Sequence, residues 1–264
     1  MANTKAETSS IGRLAGKVSF VTGGGSGLGR ACALRFAKEG SKVAVVDISE
    51  TGGRDTVELI KAAGGEATFV RADVTRETEV EAAVVATLKR YGKLDVLAAC
   101  AGIAGPTAHI TEYSAAEWDK VFAVNVRGVF LAAKHCLPPM RKQRSGNIVI
   151  IASDSAFVAG LNQVAYCASK GAALLLTRAL AVDCAAEGIR VNCVCPSIAD
   201  TPMVRSYLEA KPGDDLRKFG LDRVHSPDVI AGHMLFLASD ESANMNGHAL
   251  VIDFGGLAKS TFPF

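Results

Sequence analysis

From Lys17 onward, short runs of apolar and β-branched residues alternate with longer stretches whose apolar positions recur at helical spacing. The short runs predict strands at Val18–Thr22, Lys42–Val46, Ala67–Val70, Leu94–Ala98, Asn147–Ile151, Ile189–Val194 and Ala249–Ile252. Several are apolar on successive residues, the pattern of strands covered on both faces. The longer stretches predict helices over Leu28–Glu39, Glu50–Ala63, Arg76–Tyr91, Ala115–Lys142, Ala165–Glu187 and Pro227–Ala238. Pro138-Pro139 is expected to interrupt the fourth of these, because proline cannot donate the intrahelical bond. Gly40 and Gly92 stand where left-handed caps would end helices. Strand and helix alternating in this way predict an α/β fold: one doubly wound, seven-stranded parallel sheet with helices on both faces and right-handed crossovers.

No repeat, low-complexity tract or linker divides the chain. Residues 17–264 are therefore expected to form a single domain, preceded by a polar N-terminal extension at 1–16. The stretch 196–226, with Pro202, Pro212 and Gly213, lacks periodicity and is expected to form a lid beside the end of the sixth strand.

Composition narrows the partners. The 264 residues are 49% hydrophobic and 21% charged, enough for a large core and incompatible with a disordered chain. Lysine plus arginine number 29 against 27 acidic residues, so no strong field points to nucleic acid or an anionic membrane. A small-molecule partner is expected instead. The first sixteen residues hold no signal-peptide core, and the most apolar helical stretch, Tyr166–Ala186, is broken by Lys170, Arg178 and Asp183. Seven cysteines without a C-x-x-C pair fit free thiols and a cytoplasmic location. The five histidines show no metal-ligand spacing, and no metal is assigned.

Candidate chemistry begins at Thr22-Gly23-Gly24-Gly25-Ser26-Gly27-Leu28-Gly29, between the first strand and the first helix. Glycines allow positive φ and close approach of backbone amides to a pyrophosphate, while the helix end supplies unpaired N–H groups. The spacing is T-G-x-x-x-G-x-G and departs from G-x-G-x-x-G. Asp47, closing the second strand, would accept bonds from ribose hydroxyls and repel a 2′-phosphate. Gly24, Gly25 and Ile48 offer no compensating cation, so NAD is expected in preference to NADP.

Tyr166 and Lys170 lie one turn apart on an apolar helix, which puts phenol and ammonium on one face. Alone, such a pair reads equally as a snorkelling lysine beside a tyrosine. Ser153 adds context: it ends a buried strand, at the edge where ligands bind in such sheets. A phenol of pKa ~10 becomes a usable base when a cation stabilises its anion. Ser153 could hold the substrate oxygen as charge develops on it.

From Lys17 to Gly256 these motifs resemble the short-chain dehydrogenase/reductase family, in its common subtype of about this length. The resemblance implies a Rossmann fold in which Thr22, Gly23, Ser26, Gly27, Leu28 and Gly29 form the dinucleotide turn and Asp73-Val74 contacts the adenine. It implies that Asn125 completes a catalytic tetrad with Ser153, Tyr166 and Lys170, its helix distortion holding a water that links Lys170 to solvent. It further implies that Ile198 and Thr201 contact the nicotinamide carboxamide and phosphates. Asp47, Ile48, Cys100, Ala101, Gly102, Asn125, Tyr166, Lys170 and Pro196 complete the expected cofactor contacts.

The chain departs from the family at three places. Cys100-Ala101-Gly102 replaces the usual Asn-Ala-Gly, Pro196-Ser197 replaces Pro-Gly, and the Ser153–Gly160 spacing is looser, which leaves Ser155 as a rival serine. Cys193 and Cys195 alternate along one strand and are expected to pack. Trp118 and Phe262-Pro263-Phe264 are also read as packing residues.

Taken together, the resemblance implies an NAD(H)-dependent oxidoreductase interconverting a secondary alcohol and a ketone, acting as a homotetramer or homodimer. A non-catalytic NAD(H)-binding regulator is the alternative, and the complete tetrad argues against it. The substrate pocket is expected from Gly102–His109, Asp154–Gln163 and the lid, with Asp154 and Gln163 hinting at a hydroxylated substrate.

Overall fold

The computed structural model describes residues 12–209 and 223–259. The strands are β1 (Val18–Thr22), β2 (Lys42–Asp47), β3 (Ala67–Arg71), β4 (Val96–Ala99), β5 (Gly146–Ile151), β6 (Ile189–Pro196) and β7 (Ala249–Ile252). They form one sheet in the order β3-β2-β1-β4-β5-β6-β7, with every neighbouring pair parallel. Strand order reverses between β1 and β4, which opens a crevice at their carboxyl ends.

Alternation along each strand feeds two apolar layers. Phe20, Ala44, Val46, Ile148 and Ile150 pack on one face against α3 (Glu77–Tyr91), α5 (Gly128–Gln143) and α6 (Val164–Cys184). Val21, Val43, Val45, Val149 and Ile151 pack on the other against α1 (Gly27–Lys38), α2 (Glu50–Ala62) and α8 (Pro227–Ala238). Both faces are therefore buried, which is why these strands read as continuous apolar runs. Gly40 and Gly92 take positive φ, 85° and 78°, just past α1 and α3.

Two sequence expectations are corrected. The break expected at Pro138-Pro139 in the helix over 115–142 lies instead at Ala123–Arg127, a π-helical turn between α4 (Ala115–Phe122) and α5 where the resemblance implies a distortion at Asn125, and α5 runs through both prolines. Pro138 lies on the exposed side of α5, where water can satisfy the carbonyl that loses its helical donor, while buried Cys136 and Met140 keep the opposite face packed. The stretch after Pro196 contains a helix, α7 (Pro202–Glu209), beginning on a proline whose fixed φ suits a first turn. The rest of the expected lid from 210 to 222, the extension up to residue 11 and Phe262-Pro263-Phe264 lie outside the described residues. No helix of the described residues is long and apolar enough to cross a membrane.

Candidate active site

The glycine turn is built by close approach. A Cβ on Gly29 would sit 2.0 Å from the Gly23 carbonyl oxygen, and one on Gly23, at φ +66°, would sit 2.8 Å from Ala101 Cα. Only glycine lets α1 start this tightly against β1 and the end of β4. Thr22 Oγ1 accepts bonds from the N–H groups of Cys100 (3.2 Å) and Ala101 (3.3 Å). A β1 side chain thus fastens the segment where the family's asparagine is missing.

Ser26 is the N-cap of α1, yet its side chain makes no cap bond, so the first-turn N–H groups have no side-chain partner. Asp47 accepts from Gly25 N and Ser49 N, each at 2.8 Å, and each carboxylate oxygen retains a further lone pair. Uncapped amides at one end and a carboxylate at the other are a donor and acceptor set that fits a dinucleotide's phosphates and ribose.

Thr201 is brought beside this turn, its Cβ 3.5 Å from where a Gly27 Cβ would lie. Ile48 is exposed. Asp73 is engaged within its own turn, accepting from Thr75 N (2.9 Å) and Thr75 Oγ1 (2.8 Å), and Val74 packs on Gly128. Arg30 is a residue the motif spacing did not single out. Its guanidinium ties the Gly25 carbonyl (2.5 Å) and Thr56 Oγ1 (3.0 Å), bracing the turn against α2.

The tetrad residues converge at the carboxyl end of β5. Asn125 sits in the π-helical turn, buried, donating Nδ2 to the Ile103 carbonyl (2.9 Å) and to Ser169 Oγ (3.0 Å) and accepting from Ile103 N (2.8 Å). Its amide therefore joins three chain segments, and the widened turn is where this occurs. A Cβ on Gly102 would lie 3.3 Å from Asn125 Oδ1 and 3.7 Å from Lys170 Nζ, so all three meet at one point.

Lys170 is buried and donates to the Ile151 carbonyl at 3.0 Å. Burial pulls its pKa down to about 8. Its Nζ stands 5.6 Å from the Tyr166 ring centroid. Burial pushes Tyr166 up to about 12, with the Ser153 hydroxyl working the other way and the Asp154 charge adding to the rise.

Ser153 is buried, and its hydroxyl donates to Asp154 Oδ1 at 2.9 Å, with the Pro196 carbonyl at 3.5 Å. Ser155 donates its N–H to Ser153 Oγ at 3.1 Å. Of the two rival serines, Ser153 stands beside the Tyr166 phenol.

Two further groupings lie along β6 and just past its end. Ser197 Oγ meets His225 Nε2 at 3.2 Å, the backbone of Ile198 accepts from His225 N at 2.9 Å, and the His225 ring stacks on Phe254 with centroids 4.0 Å apart. The side chain that replaces the family's glycine thus clamps the end of β6 to the segment entering α8. Cys193 and Cys195 lie buried on one face of β6 with sulfurs 3.8 Å apart, and all seven cysteines are unpaired. Among the described residues no three His, Cys, Asp or Glu side chains gather as a metal site.

A family model described as enoyl-(acyl carrier protein) reductase matches residues 23–257. An uncharacterized oxidoreductase of Thermotoga maritima is 41% identical over 249 residues, 92% of this chain and 98% of that protein. Secoisolariciresinol dehydrogenase of Forsythia intermedia is 40% identical over 92% of this chain and 90% of its own length. Among solved structures, levodione reductase superposes with a TM-score of 0.89 at 36% identity, covering 94% of this chain and all of that one. With the sheet order, the glycine turn and these likenesses in agreement, the chain belongs to the short-chain dehydrogenase/reductase family of oxidoreductases.

Proposed function

We propose that the chain is an NAD(H)-dependent dehydrogenase that interconverts a secondary alcohol and a ketone. The observation that carries this reading is the meeting of Ser153, Tyr166, Lys170 and Asn125 at the end of β5, beside an uncapped helix and Asp47. Bound at that turn, the nicotinamide would accept the substrate hydride when oxidised and return it when reduced.

In oxidation, Ser153 holds the substrate hydroxyl and Tyr166 takes its proton as the carbinol hydride departs. Lys170, with a pKa near 8, suits two tasks at neutral pH: its ammonium offsets charge on the phenolate, and it passes a proton on toward the Asn125 side of the site. Reduction reverses these steps. A non-catalytic NAD(H)-binding regulator is not favoured, because binding alone gives no use for a buried lysine beside this phenol.

Asp47 supports NAD over NADP, since a carboxylate closing β2 would accept from ribose hydroxyls and repel a 2′-phosphate. Exposed apolar side chains on α5 and α6 support a homotetramer or homodimer paired through these helices. Seven free thiols agree with a cytoplasmic location. The stretch that includes α7 is read as a substrate lid, and 17–264 as one catalytic domain.

The test is Tyr166→Phe, assayed for reduced nicotinamide against a panel of secondary alcohols. Turnover is expected to fall by about 10³-fold, with NADH binding retained. Wild-type turnover in the variant would reject the assignment. The same assay run with NADP⁺ checks the cofactor, where equal or better catalytic efficiency would contradict Asp47's role.

A further inference from the structure

Asp154 follows Ser153 directly, and its position creates a conflict. Ser153 must give its hydroxyl hydrogen to the reacting oxygen as negative charge develops there, yet that hydrogen is committed to Asp154 Oδ1 at 2.9 Å. Ser155 Oγ makes only a long contact, 3.4 Å, to the same oxygen. Among the described residues no cation pairs with Asp154, which is half-buried, and none donates a hydrogen bond to its Oδ2. His225 lies within range of its charge, but burial lowers the pKa of that imidazole and favours its neutral form. A carboxylate in this setting is an unfilled acceptor beside the catalytic serine.

We propose that Asp154 is the specificity-determining residue of this site, recognising a second hydroxyl on the carbon next to the reacting one, so that the substrate class is neutral vicinal diols and their α-hydroxyketones. The inference rests on the alcohol dehydrogenase reading above. The two oxygens of a gauche vicinal diol stand about one hydrogen-bond length apart, as Ser153 Oγ and Asp154 Oδ1 do. The reacting oxygen binds Ser153 while its neighbour donates to Asp154. With that donor in place, the carboxylate keeps a hydrogen-bond partner when the serine hydrogen turns to the reacting oxygen.

A monohydroxy alcohol lacks this donor and leaves Ser153 held by the carboxylate. An α-hydroxy acid brings a second negative charge beside Asp154 and is excluded. The same loop carries Phe157, Val158 and Leu161 with their apolar side chains exposed, which suits a carbocyclic body. Oxidation of the diol sends the hydride to oxidised nicotinamide and the hydroxyl proton to Tyr166, leaving the α-hydroxyketone.

The test compares cyclohexanol with cis- and trans-cyclohexane-1,2-diol on the full chain, for wild type, Asp154→Asn and Asp154→Ala. Wild type is expected to favour one diol isomer by on the order of tenfold to a hundredfold in kcat/KM, the worth of a hydrogen bond to a charged group. The preference should appear chiefly in kcat, because the second hydroxyl acts by releasing Ser153. Asp154→Ala should abolish it. Asp154→Asn, which keeps the shape and an acceptor, should reduce it and admit α-hydroxy acids.

Turnover of cyclohexanol with no diol preference in wild type overturns the inference and leaves the dehydrogenase reading standing. An unchanged diol preference in either variant overturns it as well. No turnover of any alcohol removes both. Should Asp154→Ala fail to fold, wild type and the isosteric Asp154→Asn decide the matter by themselves.

Discussion

Lys170 is buried with the Ile151 carbonyl as its hydrogen-bond acceptor, and burial lowers its pKa from an ordinary 10.5 to about 8. Between these values the unfolded chain binds more protons than the folded one, so stability gains from this group as pH rises from about 8 to about 10.5. Below that window its desolvation costs about 3 kcal/mol. Lys170→Met carries no titrating group there and is expected to gain stability relative to wild type at pH 7, with the gap closing toward pH 10.5. Urea denaturation across this range measures it, and a gap independent of pH would contradict the burial account. Tyr166, raised to about 12, loses stability from its ordinary value of 10.0 upward, but both proteins share that loss. The Tyr166–Lys170 spacing is legible in the sequence. The balance of burial against charge is not, because it depends on which carbonyls and hydroxyls surround each group.

At the scale of elements, a long helical pattern is broken by a buried amide and passes through two prolines. Helical periodicity reports which face is apolar, but it cannot report that Asn125 must reach both Ile103 and Ser169. Those partners lie on the segment after β4 and on α6, and they meet only once the sheet is formed. Asn125→Ala removes three hydrogen bonds and leaves buried partners unsatisfied, so a loss of about 3 kcal/mol is expected in chemical denaturation. Unchanged stability would show that the π-helical turn is held by something other than the amide. The clamp between Ser197 and His225 follows the same logic. Neither residue's partner can be read from its own segment, and the pairing accompanies a parallel bridge between Ala199 and His225 that brings the two segments together.

At the scale of the whole molecule, α5 and α6 carry large apolar side chains on their outer faces. Val182 is 78% exposed and Leu175 63% on α6, while Phe130 on α5 is 47% exposed. In a pairing through these helices, the double substitution Leu175→Glu with Val182→Glu places charges in the buried contact and is expected to yield monomers. Light scattering coupled to gel filtration checks this, and an unchanged assembly would move the interface elsewhere.

The sequence by itself determines the α/β class, the strand number, the glycine turn and the one-turn spacing of Tyr166 and Lys170. These depend on the period of apolar positions and on backbone freedom, both properties of near neighbours in the chain. Only the tertiary structure decides that Ser153 gives its hydrogen to Asp154, that burial raises the Tyr166 phenol, that Arg30 braces the turn, and which groups the Asn125 amide ties together. Each of these depends on the local surroundings a side chain acquires on folding, and sheet register and crossover geometry set those surroundings.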